Sequence, residues 1–183
     1  PDAYNTVLPG SVKPLESYNE LLVLMWKLLD YNKEFLRFSL DNDVTRLVRS
    51  LSYYMWTGRH SVAKVGLVHV CTFILLLLSG ERRFGIALNA PFKQSSLRLE
   101  QAPKMSEANH GDLLVIVFYK LIVDGSKRLS MLYSCFLTVW SNFSPYLKSF
   151  GMASSMRLVT LFDKFSTRKF LFSAETNHQY LFF

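Results

Sequence analysis

Three short stretches hold the residues best suited to chemistry. In "SGERRFG" (79–85), Gly80 and Gly85 flank Arg82 and Arg83. Arginine forks bind phosphate and carboxylate in a bidentate fashion, so the stretch could cradle an anion. The bland alternative is a turn in which Arg82 or Arg83 ties down a helix C-terminus. In "FDKFSTRKFLF" (162–172), Lys164, Arg168 and Lys169 alternate with phenylalanines, a pattern that could stack on single-stranded nucleic acid. At helical spacing Phe162, Phe165 and Phe170 read as core residues, and no nucleic-acid partner is expected. Lys127 and Arg128 follow Gly125 as a third basic pair.

The remaining reactive types form no recognisable site. His60, His69, His110 and His178 are scattered, and His69 and Cys71, two residues apart, do not share a helix face. Their ligand count falls short of a zinc site. His69 reads as a core histidine with a backbone or water partner. There is no G-x-S-x-G elbow, no phosphate-binding glycine loop and no H-E-x-x-H pair. No cofactor, metal or catalytic residue is assigned. Cys71 and Cys135 lie inside apolar stretches, which suits buried thiols in a reducing compartment better than a disulfide framework.

These residues need elements to position them, and the composition says which. Half of the 183 residues are hydrophobic and 15% are aromatic, so the chain can build a substantial core. Apolar residues recur at helical spacing from Leu15 to Leu29, after an irregular lead-in at 1–14. A short helix follows through "NKEFLRFSL" (32–40). "DND" (41–43) then ends it and caps a helix over Val44–Trp56, with Gly58 placed as its C-terminal glycine. Ser61 can cap a helix over Val62–Leu78 that contains "FILLLL". Only 16 residues separate Lys64 from Glu81, and His69 interrupts them, so this is read as a core helix and not a bilayer span. Gly80 lets the chain leave it, and Glu81 to Arg83 return to water.

Residues 89–111 carry two prolines and little periodicity, which predicts a long loop. "LLVIVFYKLIVDG" is rich in β-branched residues and would suit a buried strand. Its length and Asp112 as a cap favour a helix ending at Gly125. Further helices are expected over Lys127–Trp140, briefly after Ser144–Pro145, and over Ser149–Phe165 with a bend at Gly151. Asn177 caps a last one. The expected fold is all-α: antiparallel helix hairpins stacked in a solenoid-like array over 15–183, with a compact helical bundle as the alternative.

The net charge is +7, and from 120 to 169 eight basic residues face only Asp124 and Asp163. Such a bias suits an anionic partner, although lysines and arginines also snorkel from apolar helices to water.

"LDYNKEFLRF" (29–38), "FILLLLSGERRFGIALN" (73–89), "HGDLLVIVFYKLI" (110–122), "NFSPYLKSF" (142–150) and "KFLFSAETNHQYLFF" (169–183) together resemble the high-temperature-induced dauer-formation protein family, itself distantly similar to dymeclin. The resemblance runs from about residue 18 onward and is weakest in the lead-in and the 90–109 loop. It implies a eukaryotic cytoplasmic protein held peripherally on Golgi and trans-Golgi membranes. It also implies a role in secretory sorting without catalysis, and a chain several times longer, of which this would be an internal piece. No residue-level site comes with it. The expectation is therefore a non-enzymatic scaffold that docks secretory-pathway proteins and meets an anionic membrane without spanning it. Arg82, Arg83, Lys127, Arg128, Lys164, Arg168 and Lys169 are the candidate contacts. The competing expectation is an enzyme, a hydrolase or transferase, whose site is completed by absent regions.

Overall fold

A computed structural model of the chain describes residues 17–93, 97, 99, 105 and 108–182, with the side chains of Ser126 and Lys127 excluded. The 1–14 lead-in and the interior of the 90–109 loop lie largely outside the described residues. The described residues are all-α, and their one β feature is an isolated bridge between Pro91 and Asn109.

Among the described residues nine α-helices follow in order: α1 (Tyr18–Tyr31), α2 (Lys33–Asp41), α3 (Val44–Gly58), α4 (Val65–Ser79), α5 (Arg82–Ala87), α6 (His110–Gly125), α7 (Tyr133–Phe143), α8 (Met152–Ser166) and α9 (Arg168–Leu171). Their starts are set by local chemistry. The Asn32 side chain accepts the N–H groups of Glu34 and Phe35 and caps α2. Asp43 stands at φ 62° and caps α3 through Arg46 N–H, a left-handed position that Asp tolerates better than most residues.

The helices pack in two rows. α4 lies between α1 and α7, α6 lies between α3 and α8, and α3 against α4 joins the rows. At three helices per row, these contacts suit a short stacked array and a bundle alike. The two middle helices carry the core. Ile74, Leu75 and Leu78 of α4 are fully buried, each contributing about 1.5–3 kcal/mol. With the 3₁₀ turn Val62–Lys64 the helical run reaches Val62–Ser79, 18 residues, longer than the sequence window suggested and enough by length and composition to cross a membrane. The fold instead encloses eight residues of α4, from Leu67 to Ser79.

In α6 all six residues of Leu113–Phe118 are buried. Contact from every side explains why a helix carries a strand-like sequence, since no face has to remain polar.

Several local expectations are corrected. Glu81 to Arg83 are exposed as expected, but a further helix not foreseen, α5, starts at Arg82. The helix expected from Lys127 opens instead as a 3₁₀ segment, Ser126–Leu132, before α7. Ser144–Tyr146 is a single 3₁₀ turn, with the proline in its first positions. α8 begins at Met152, after an extended Gly151, and not at Ser149. Ser61 makes no capping hydrogen bond. The segment from Asn177 is 3₁₀, Asn177–Leu181.

Candidate functional site

The loop between α5 and α6 closes on itself before any surface is built. Phe92 N–H donates to the Ala108 carbonyl at 2.7 Å, and His110 N–H donates to the Ala90 carbonyl at 3.2 Å. α6 then opens with a reciprocal cap. The Asn109 side chain accepts Asp112 N–H at 2.9 Å, and the Asp112 carboxylate accepts Asn109 N–H at 2.9 Å. The helix thus starts two residues before Asp112, which sits within its first turn. The second Asp112 oxygen accepts Gly151 N–H at 2.8 Å, fixing the head of α8 to that of α6.

His110 Nδ1 faces the Ala90 carbonyl at 2.8 Å, so it carries the proton, and the buried Nε2 has no partner. Burial pushes this imidazole below its usual range. His69 is half-buried, not a core residue, but its Nδ1 meets the Val65 carbonyl at 2.9 Å, the expected backbone partner.

Of the candidate basic residues, Arg83 is exposed and forms a 2.8 Å ion pair with Asp41 at the end of α2. Arg82 lies 5.9 Å from the Tyr146 ring centre. Gly85 is there because Tyr146 packs against the helix: a Cβ on it would lie 2.6 Å from Tyr146 Cδ2. Arg128 donates to the His60 carbonyl at 2.9 Å and so holds the end of α3. The Lys127 side chain lies outside the described residues. Lys164, Arg168 and Lys169 are exposed at the α8–α9 corner, and no ion pair among the described residues involves them. The seven residues thus fall in three places: α5, the α6–α7 connection, and the α8–α9 corner.

In the second stretch Phe165 and Phe170 are occupied, whereas Phe162 and Phe172 are exposed, so the expectation of a core Phe162 is corrected: its side of α8 faces solvent. Phe165 stacks on Phe170 at 4.8 Å, and Tyr180 lies 5.7 Å from Phe165. Those rings line the fold's interior edge, leaving no free stacking platform between them.

The strongest charge arrangement was not singled out from sequence. Arg59, 8% exposed, donates through Nε to Asp124 at 3.3 Å and through Nη1 to the Trp56 carbonyl at 2.6 Å. Its guanidinium lies 4.5 Å from the Trp56 ring centre. Lys120 Nζ, 3.8 Å from Asp124, completes the cluster. The only local signal was Lys120 four residues before Asp124. Arg59 is 65 residues away and carries none.

Among the described residues no group of three or more His, Cys, Asp or Glu side chains could hold a metal ion. Cys71 is fully buried, its thiol pushed up to about 12 by desolvation, so it is not an activated nucleophile.

The fold and surface thus define a class: an all-α protein whose buried polar groups join helices to one another, with a basic corner exposed at α8–α9. The chain belongs to the high-temperature-induced dauer-formation protein (Hid1) family, which it matches over residues 3–183. It is 46% identical to Protein HID1 of Mus musculus over 179 residues, covering 97% of this chain and 22% of the relative. It is 41% identical to Protein HID1 of Dictyostelium discoideum over 183 residues, covering 99% and 20%. The Ubp5-interacting protein ftp105 of Schizosaccharomyces pombe is 27% identical over 172 residues, covering 91% and 18%. The chain therefore spans about a fifth of the length of these relatives. None of these names is that of an enzyme. No solved structure matches the chain.

Proposed function

We propose that this chain is part of a non-enzymatic helical scaffold, held peripherally on Golgi and trans-Golgi membranes and acting in the sorting of secretory proteins. The compartment and the process rest on the family resemblance. The observation that carries the membrane contact is the exposed trio Lys164, Arg168 and Lys169 at the α8–α9 corner. Cations on a cytoplasmic surface gain about 1 kcal/mol each near an anionic leaflet. No bilayer crossing is needed, since the leucines of α4 are used in the core. Protein partners fit the same reading, and a fission-yeast relative is named for one. A nucleic-acid partner fits less well, because Phe165, Phe170 and Tyr180 stack among themselves and leave only Phe162 and Phe172 exposed in that stretch.

Flotation of the full-length protein with vesicles tests this. Recovery should require anionic lipid and fall with salt. Changing Lys164, Arg168 and Lys169 together to Gln should weaken binding roughly 10- to 100-fold. Equal recovery on neutral vesicles at high salt would refute the electrostatic contact.

A further inference from the structure

α8 closes its row of helices. One side of it is buried through Ser154, Leu161 and Phe165, with Ser154 against Asp112 of α6 and Phe165 against Tyr133, Phe170 and Tyr180, while the side opposite them is exposed among the described residues. That open side carries four large apolar residues beside Asp163. Met152, Met156 and Val159 recur at i, i+4 and i+7, with Phe162 one turn further, and they are 82%, 59%, 61% and 60% exposed. Four large apolar side chains on one stripe form the kind of patch that marks an interface.

The stripe is also shaped at both ends. Met152 and Met156 border a cleft of about 260 Å³ that reaches Ala108 and Asp112. Phe162 borders another of about 140 Å³, with Leu137, Trp140 and Leu181. Trp140 is 9% exposed, and its indole N–H has no acceptor. Asp163 lies on the same stripe, four residues after Val159. Lipid tails offer the Asp163 carboxylate no partner, whereas a polypeptide can.

We infer that the Met152–Met156–Val159–Phe162 face is an internal interface, covered by an amphipathic helix from the part of the full-length protein that lies outside these 183 residues. The relatives are about five times as long as this chain, so the family has ample polypeptide to extend the row beyond α8. Two clefts joined by an apolar stripe match the knobs of a helix laid along α8. Lys164 projects to the side of the stripe, which leaves the basic corner accessible when the face is covered. The inference rests on the family's length and on this surface, not on the membrane reading.

Hydroxyl-radical footprinting of the native full-length protein tests it through two methionines. Relative to the denatured chain, Met152 and Met156 should oxidise at least roughly fivefold more slowly, as the buried Met55 does. Rates within about fivefold of the denatured ones would overturn the proposal. A photo-crosslinker at Met156 (Met156→p-benzoylphenylalanine) then identifies what covers the face. Crosslinks within one chain to residues outside 1–183 support the inference. Crosslinks to a second copy, to added anionic vesicles, to another protein, or to residues 1–16 or 94–107 refute it. The readouts do not involve Lys164, Arg168 or Lys169, so this inference and the membrane reading can fail separately.

Discussion

The carboxylate of Asp112 accepts the backbone N–H of Gly151, 39 residues later in the chain, at 2.8 Å, and so one side chain holds the first turns of both α6 and α8. Its other oxygen is already engaged by Asn109 N–H, and the residue is only 2% exposed. Removing it strands two amide donors in a dry site. Asp112→Ala is expected to destabilise this region by about 2–4 kcal/mol, combining a lost cap with unsatisfied donors. Hydrogen exchange should show the amides of 109–114 and 151–155 opening together. If 151–155 stayed protected while α6 frayed, the bridge would not be what holds α8.

His110 should make the fold sensitive to mild acid. Its Nδ1–H is held by Ala90, and Phe92 stands edge-on to the ring at 5.6 Å. The charged groups acting on it are both from α3 or its cap: Arg49 opposes protonation and Asp43 favours it, with burial the larger effect. A histidine whose folded pKa lies below the ordinary value binds its proton more readily when unfolded. Stability should thus be full above about pH 6.5 and fall as the pH drops from there toward the folded pKa. Unfolding midpoints of wild type and His110→Gln, compared from pH 7.5 to 5, check this. An equal pH dependence in both proteins would rule out His110 as the source.

Gly85 is required by Tyr146, not by an anion. A methyl group there would overlap the Tyr146 ring and its Cβ, the latter at 2.9 Å. Gly85→Ala should cost about 1–3 kcal/mol by forcing the Ser144–Tyr146 turn away from α5. Adding Tyr146→Ala should recover part of that loss, whereas a phosphate-binding role would predict no such recovery.

Arg59 and Asp124 should behave as a buried pair. Truncating Arg59 to Ala leaves Asp124, only 19% exposed, with Lys120 and His60 at 3.8 Å, at an expected cost of about 3–5 kcal/mol. Arg59→Met, which keeps packing on Trp56, combined with Asp124→Leu should cost much less than either single change. A double variant as unstable as the sum of the two would show that the pair is not coupled.

Much of the secondary structure was legible in the chain because its causes are local. The Asn32 cap, the turn at 41–43 and the apolar spacing of α1 and α3 each depend on residues within one or two turns. The 3₁₀ character of the short segments and the short helices α5 and α9 were not legible, since three to seven residues carry too few periods to show. The strand-like run in α6 left two readings open, and enclosure by α3, α7 and α8 explains why it is nonetheless a helix.

The sequence by itself determined the all-α class and the central place of the Phe73–Leu78 run, which follow from side-chain type and spacing along one strand of polypeptide, while the resemblance to the family rests on the matching segments. Only the tertiary structure decided which charges are committed. Arg83 meets Asp41, Arg128 meets His60 and Arg59 meets Asp124 across 42, 68 and 65 residues, while Lys164, Arg168 and Lys169 remain at the surface. The physical reason is that an ion pair or a buried acceptor depends on distance in space, and helix packing sets that distance between residues whose spacing in the chain carries no trace of it.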